Sequence, residues 1–116
     1  MAGFQVRAES KHIPGSPIKA RRVVNAVRGM RAERALEVLR LMPQAAAEPV
    51  AKTIKSAIAN AEENFGLTKE DLVITEIVAN SGRTRPWRRF GARGRFKPIR
   101  KRTSHIKVVL EEVEEE

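Results

Sequence analysis

A strongly basic run between two apolar, alternating stretches constrains the fold of this chain more than any other feature. Residues 83–102 read RTRPWRRFGARGRFKPIRKR and contain ten Lys or Arg and no acid. A run of this charge cannot join the core of a small domain, because charged groups are buried only when they are paired. It must therefore lie outside the core and face a partner or solvent.

The stretches on either side of the basic run predict β-strands. LVITEIVA at 72–79 is rich in β-branched residues, and apolar residues alternate at Ile106, Val108 and Leu110. Two strands joined through the basic run predict a long hairpin, of which residues 80–104 protrude. Each arm would have about 19 residues and be roughly 60 Å long, at ~3.3 Å per residue. A flexible tail or localisation signal, the other common interpretation of a basic run, would not need this position.

The composition of the basic run indicates RNA as the partner. It contains three of the five aromatic residues of the chain, Trp87, Phe90 and Phe96. Guanidinium groups bind phosphate bidentately and stack on bases, and aromatic rings provide further stacking surfaces. Gly91 and Gly94 allow the backbone to approach a ligand closely. A segment in which arginines, aromatic residues and glycines alternate in this way is suited to binding irregular, partly unstacked RNA.

The remainder of the chain predicts an opening edge strand, in which Phe4, Val6 and Ala8 alternate with polar residues, and three helices. The helices are expected at about 17–28, 31–42 and 49–64, delimited by Ser16-Pro17, Gly29, Pro43 and Gly66. Their apolar stripes are Ala20, Val23, Val24, Val27 and Met30 in the first, Ala32, Ala35, Leu36 and Leu39 in the second, and Val50, Ile54, Ala57, Ile58, Ala61 and Phe65 in the third.

The overall charge requires a polyanionic partner. The 116 residues suffice for a single domain, 1–116, and carry a net charge of +9. Residues 1–110 hold all 23 Lys and Arg and nine of the acids, a net charge of +14, whereas 111–116 form an acidic tail. Such charge repels itself in a compact body unless a polyanion relieves it. No stretch approaches the ~20 apolar residues of a spanning helix, so we expect a cytoplasmic protein without a membrane partner.

Signals for catalysis are poor, and we expect no enzyme activity, cofactor, metal site or small-molecule substrate. The chain has no cysteine and two histidines without metal-ligand spacing, and GARGR lacks the lysine spacing of a nucleotide loop. An RNA-modifying enzyme would need an acid/base pair, metal ligands or a cofactor loop. A DNA-architectural protein with basic β-arms is the other alternative, and it would require an obligate dimer with an apolar helical interface.

Several segments of the sequence resemble a known family. They are SPIKARRVVNAVRG at 16–29, KTIKSAIANAEENFG at 52–66, and ARGR at 92–95 followed by FKPIRKRTS and His105-Ile106. With these segments the chain closely resembles bacterial large-subunit ribosomal protein twenty-two, the universal exit-tunnel β-hairpin family, from about Ile13 to Leu110. Gly91 departs from the family pattern, and the hairpin is about one residue longer.

The resemblance implies an α+β fold of three helices packed on a small three-stranded antiparallel sheet, with a long basic β-hairpin extension. It implies a structural constituent of the large ribosomal subunit that binds 23S ribosomal RNA, supports early assembly and lines the nascent-peptide exit tunnel with its hairpin. The implied partners are several domains of that RNA, neighbouring exit-tunnel proteins including the fourth large-subunit protein, and the nascent polypeptide. Changes at the hairpin tip alter macrolide sensitivity in this family.

The expected site residues fall into two groups. The expected tip, which would form the tunnel wall, is Thr84, Arg85, Pro86, Trp87, Arg88, Arg89 and Phe90. The expected ribosomal RNA ligands are Lys19, Arg21, Arg22, Arg28, Lys52, Lys55, Arg83, Arg93, Arg95, Lys97, Arg100, Lys101, Arg102 and His105.

Overall fold

The computed structural model describes residues 5–82, 85–90, 96–101 and 103–113. A short 3₁₀ turn at Lys69–Asp71 precedes the second strand. In chain order the elements are β1 (Gln5–Pro14), α1 (Pro17–Val27), α2 (Ala32–Leu41), α3 (Ala47–Phe65), β2 (Leu72–Ser81), β3 (Arg85–Phe90), β4 (Phe96–Lys101) and β5 (Thr103–Glu112). The predicted α+β class, with three helices and a three-stranded antiparallel sheet, is confirmed.

The main sheet is antiparallel and has the order β1-β5-β2, so the C-terminal strand is central and the opening strand lies at an edge, as predicted. Two irregularities interrupt its register, one between Ser10 and Ile13 and one between Ile74 and Glu76. β1 therefore continues to Pro14, well beyond the alternating residues that predicted it. A bulge inserts a residue and breaks the period of two on which the prediction depended.

The helices cover one face of the sheet. Alternate residues of β5 point to this face, and Ile106, Val108 and Leu110 are buried against residues of α1 and α3 such as Val24 and Ile54. Burying each such side chain stabilises the fold by about 1.5–3 kcal/mol. Among the residues whose burial is described, the core residues belong to the three helices and to β1, β2 and β5.

The longest helix differs slightly from its prediction. α3 begins at Ala47 rather than at Pro49, because proline is tolerated in a first turn, where its missing N–H has no partner within the helix. It ends at Gly66, whose positive φ of 64° closes the last turn. Phe65 was expected in the apolar stripe, but it is 48% exposed because the helix ends there.

Both edges of the main sheet are covered by side chains from the helices. On the β2 edge, the Arg21 Nε donates to the Ala79 carbonyl oxygen (3.0 Å) and the Arg28 guanidinium donates to that of Ile77 (2.8 Å). On the β1 edge, the Asn60 amide donates to the Arg7 carbonyl oxygen (3.4 Å). Covering the edges protects strand backbone groups that could otherwise pair with another chain.

The hairpin forms a second, two-stranded sheet in which β3 pairs antiparallel with β4. The molecule measures 70 × 26 × 21 Å and has a radius of gyration of 17.3 Å. A compact domain of about 100 residues has a radius of gyration near 13 Å. The protein is therefore elongated, in agreement with a protruding hairpin. Among the described residues, no helix has both the length and the apolar character needed to cross a bilayer.

Candidate nucleic-acid interface

The hairpin places like charges at opposed positions. Its register pairs Arg85 with Lys101 and Arg89 with Lys97. Six of the twelve paired residues are Lys or Arg and none is an acid. Like charges directly opposite each other destabilise an antiparallel pair. An isolated hairpin of this sequence is therefore unfavourable, and binding of an anion would relieve the repulsion.

The register corrects the expected position of the hairpin tip. β3 and β4 pair as far as Phe90 with Phe96, so residues 91–95 connect the strands. Residues 85–90, which were expected at the tip, belong instead to β3. The tip at 84–90 was assigned from the family resemblance, whereas two equal arms counted from Leu72 and Leu110 already place the turn near residue 91. The irregularity in β2 and a further one-residue offset then move the centre of pairing to Arg93. Arg83, Thr84, Arg93, Arg95 and Arg102 lie outside the described residues.

Helix α1 provides the nearest basic surface on the body. The helix begins at Ser16, whose hydroxyl accepts from the Ile18 N–H (3.3 Å), and it contains no acid. Lys19 and Arg22 are exposed, and neither is bonded to another side chain in the described part of the protein. They lie one turn apart and so project from one face of the helix. Both are available to bind an anion.

Arg21 and Arg28 project from a different face of α1, toward the edge of β2. The bonds to Ala79 and Ile77 described above occupy part of each guanidinium, and Arg28 also donates to the Asn25 side chain (2.7 Å). A guanidinium has five N–H donors, so donors remain on both exposed residues. In the structure, however, Arg21 and Arg28 form hydrogen bonds to the backbone of the β2 edge, a role that the sequence did not indicate.

The remaining expected body residues lie on other elements. Lys52 forms an exposed ion pair with Glu48 (3.4 Å), which contributes little stability but partly neutralises the charge. Lys55 lines a groove between α2 and α3 beside Glu37. His105 is half-buried on β5, opposite Asn80. Lys52 also lines a small pocket with Ile13 and Pro49 at the end of β1. These three expected residues belong to α3 and β5 rather than to α1.

A groove beside the base of the hairpin was not anticipated. It has a volume of about 490 Å³ and lies where β1 ends, α1 begins and the α2–α3 loop passes. We call it the basal groove. Sequence reasoning missed it because its lining comes from three separate segments of the chain, 13–22, 44–49 and 104–106. It is lined by Ile13, Gly15, Ser16, Lys19, Ala20, Arg22, Gln44, Ala45, Ala46, Pro49, Ser104 and Ile106.

The basal groove differs in charge from the groove between α2 and α3. That second groove has a similar volume, about 540 Å³, but its lining includes Glu37 and Glu48 together with Arg40 and Lys55. The basal groove contains Lys19 and Arg22 and no carboxylate. Of the two, the basal groove suits an anion. Within the described residues, no group of His, Cys, Asp and Glu is arranged to hold a metal ion.

Comparison with known proteins gives a consistent assignment. Residues 8–111 match the family model described as ribosomal protein L22p/L17e. The chain is also 46% identical over 112 residues to the large ribosomal subunit protein uL22 of Synechococcus sp. (strain JA-3-3Ab), covering 97% of this chain and 91% of that protein. The chain therefore belongs to the ribosomal protein L22p/L17e family, a family of structural proteins of the large ribosomal subunit.

Proposed function

We propose that this structural constituent of the large ribosomal subunit binds the large-subunit (23S) ribosomal RNA through its basic hairpin and the adjoining face of α1. Family membership gives the location, the ribosome in the cytoplasm, and a structural rather than catalytic role. The RNA ligands in this proposal are the hairpin residues from Arg83 to Arg102, with Lys19 and Arg22 on the body. Arg21 and Arg28 contribute with the donors that the sheet edge leaves unused.

The opposed positive charges of the hairpin are the observation that carries this proposal. Arg85 with Lys101 and Arg89 with Lys97 would repel each other in a free protein. RNA phosphates between and around these side chains would replace the repulsion with attraction. Binding would also release the counterions that are condensed on the RNA. The aromatic residues Trp87, Phe90 and Phe96 add faces on which unpaired bases can stack. A binding surface of this kind suits folded RNA with irregular regions.

The hairpin has a second proposed role, in the exit tunnel. The connection at 91–95 is the part of the hairpin farthest along the chain from the body, so in this proposal it is the part that enters the tunnel. There it would contribute to the tunnel wall beside the fourth large-subunit protein and face the nascent polypeptide. The paired stem would bind several RNA domains and support early assembly by holding them together.

Salt dependence tests the RNA-binding part of the proposal. Neutralising Arg93, Arg95, Arg100 and Arg102 to Gln should lower affinity for large-subunit ribosomal RNA. The slope of log affinity against log salt should flatten by about 0.7–0.9 for each phosphate that the variant no longer binds. The variant should also leave large subunits during a high-salt wash that retains the wild-type protein.

A matched variant controls for the loss of net charge. It also removes four positive charges, but from exposed positions away from the hairpin, and it should keep a nearly unchanged slope. If the two variants behave alike, binding depends on total charge and the proposed interface is wrong. The control replaces Arg7, Arg34, Arg40 and Lys69 with Gln.

Shortening the hairpin tests the tunnel role separately. Deleting residues 92–94 should leave subunit assembly profiles near normal, because the paired stem is kept. It should change macrolide sensitivity or stalling by particular nascent chains. The opposite deletion, of one stem pair at Arg88 and Pro98, should impair assembly. An assembly defect from the first deletion together with normal drug response and stalling would contradict the division of roles.

A further inference from the structure

The basal groove combines an apolar floor with a basic rim. Ile106 and Ala20 are buried at 1% and 4% exposure and line the floor, and Ile13 and Pro49 are half-buried beside them. Lys19 and Arg22 stand on the rim, and Gln44 offers a neutral amide. Apolar walls with a few placed polar groups are typical of sites for small ligands, and about 300–1,000 Å³ is the usual range of volume. The 490 Å³ of this groove falls within it.

The charge of the groove selects an anionic occupant. Lys19 and Arg22 make no ion pair within the described part of the chain, and no carboxylate lines the groove. A peptide segment would have to be acidic to match it, whereas a nucleotide carries its phosphate beside a flat and largely apolar base. The groove offers complementary surfaces to both parts of a nucleotide.

The groove is also continuous with the hairpin. Ser104, in its wall, pairs with Ile13 on one side and with Ser81 on the other. Directly beyond it, the Gly82 N–H donates to the Thr103 carbonyl oxygen (2.8 Å), at the point where the hairpin leaves the sheet. An RNA strand bound along the hairpin stem would therefore pass the mouth of the groove.

We propose that the basal groove binds a single unpaired nucleotide of the ribosomal RNA, with the base against the Ile13, Ala20 and Pro49 surface and the phosphate between Lys19 and Arg22. This inference rests on the proposed RNA-binding function and adds a specific subsite to it. A base within an RNA helix cannot enter the groove, because its faces are stacked and its edge is paired. The groove therefore recognises a bulged or loop nucleotide, as single-stranded RNA elements are commonly recognised.

Site-specific crosslinking tests the proposal in the assembled subunit. The photoreactive residue p-benzoylphenylalanine replaces Gln44, an exposed residue at the groove, in cells whose ribosomes carry only this variant. Isolated large subunits are irradiated, and reverse-transcription stops locate the crosslinks. We expect crosslinks at one or two adjacent nucleotides that are unpaired. The control places the same residue at Leu41, which is 84% exposed and lies outside the groove, and should not crosslink to them.

Three outcomes would overturn the inference. They are crosslinks from position 44 to a protein, crosslinks to base-paired nucleotides, and no RNA crosslink although the variant is present in the subunits. The first outcome would identify the groove as a protein docking site instead.

A binding measurement provides the second arm. The double variant Lys19→Gln and Arg22→Gln should bind large-subunit ribosomal RNA at least about tenfold more weakly, since the loss of even one charge-assisted hydrogen bond has an effect of this size. It should also raise the chemical reactivity of the crosslinked nucleotide. Arg34→Gln with Arg40→Gln, on exposed positions of α2, is the matched control and should do neither.

The two arms separate this inference from the proposed function. Equal effects of the groove and α2 variants, with the hairpin variant still weakened, would refute the nucleotide subsite and leave the hairpin function standing. Full affinity in the variant with the neutralised hairpin would refute the proposed function itself.

Discussion

Removing the two arginines that cover the β2 edge should destabilise the body of the protein, although both are exposed. The change is Arg21→Met with Arg28→Met, which keeps much of the length of the side chains and removes their hydrogen bonds. The acceptors are carbonyl oxygens of Ala79 and Ile77, residues that are 3% and 0% exposed. When a carbonyl oxygen of such a buried residue loses its hydrogen-bond donor, water does not fully replace the lost bond.

The size of the effect follows from the number and type of bonds. Hydrogen bonds to charged groups contribute about 1.5–3 kcal/mol each, and exposed guanidiniums belong at or below the low end because solvent competes. The double variant should therefore lose about 2–3 kcal/mol in free energy of unfolding. For a body of this size, that corresponds to a fall in Tm of roughly 10–20 °C.

Far-UV circular dichroism during urea and thermal unfolding is the appropriate assay. Trp87 is the only tryptophan and belongs to the hairpin, so its fluorescence would not report on the core. Lys19→Met with Arg22→Met is the matched control on the same helix, and it should change stability by no more than about 0.5 kcal/mol. Equal stability of the two double variants would refute the assignment of Arg21 and Arg28 to the sheet edge.

Three further predictions concern stability. Replacing residues 83–102 with a two-residue Asn-Gly turn should preserve a cooperative thermal transition, since the described core residues belong to the helices and to β1, β2 and β5; a broad, non-cooperative transition would contradict this. Gly15→Ala should lower the free energy of unfolding in urea by about 1–3 kcal/mol, because φ at Gly15 is +125° and alanine is strained there. An unchanged free energy of unfolding would show that the turn adapts to alanine. Thr53→Val should lower the free energy of unfolding by about 1 kcal/mol, because the buried Thr53 hydroxyl donates to the Pro49 carbonyl oxygen (2.9 Å) and lies 2.7 Å from the Ser10 hydroxyl. Unchanged stability in calorimetry would show that these contacts contribute little.

The elements of the fold were predictable because their signals are local. Ser16-Pro17 marks the start of α1 and Gly66 marks the end of α3, and each signal acts within one turn of backbone. The apolar periods then assign faces, and most of the expected stripe residues are buried. The alternation of Ile106, Val108 and Leu110 predicted the strand β5, whereas its central position in the sheet was not predicted.

The features that escaped prediction depend on contacts between distant segments. The bulge after Ser10 extends β1, and its position is set by pairing with β5 rather than by local sequence. The role of Arg28 depends on which edge of the sheet lies beside α1, which no periodicity reveals. The hairpin tip was misplaced because residues 84–90 were assigned to it from the family resemblance, whereas the register of β3 with β4 centres the pairing on Arg93.

The two ends of the body carry opposite charge, and this arrangement bears on how the protein meets RNA. The hairpin leaves the sheet at Ser81 and Thr103, next to Lys19 and Arg22 at the basal groove. At the other end of the same strands lie the end of α3, the 3₁₀ turn and the end of β5. A polyanion is attracted to the first end and repelled by the second, so electrostatics orients the protein before any specific contact forms. The net charge of +9 thus understates the positive field at the hairpin, because acids at the far end are included in it. These acids are Glu62, Glu63, Glu70, Asp71, Glu111 and Glu112.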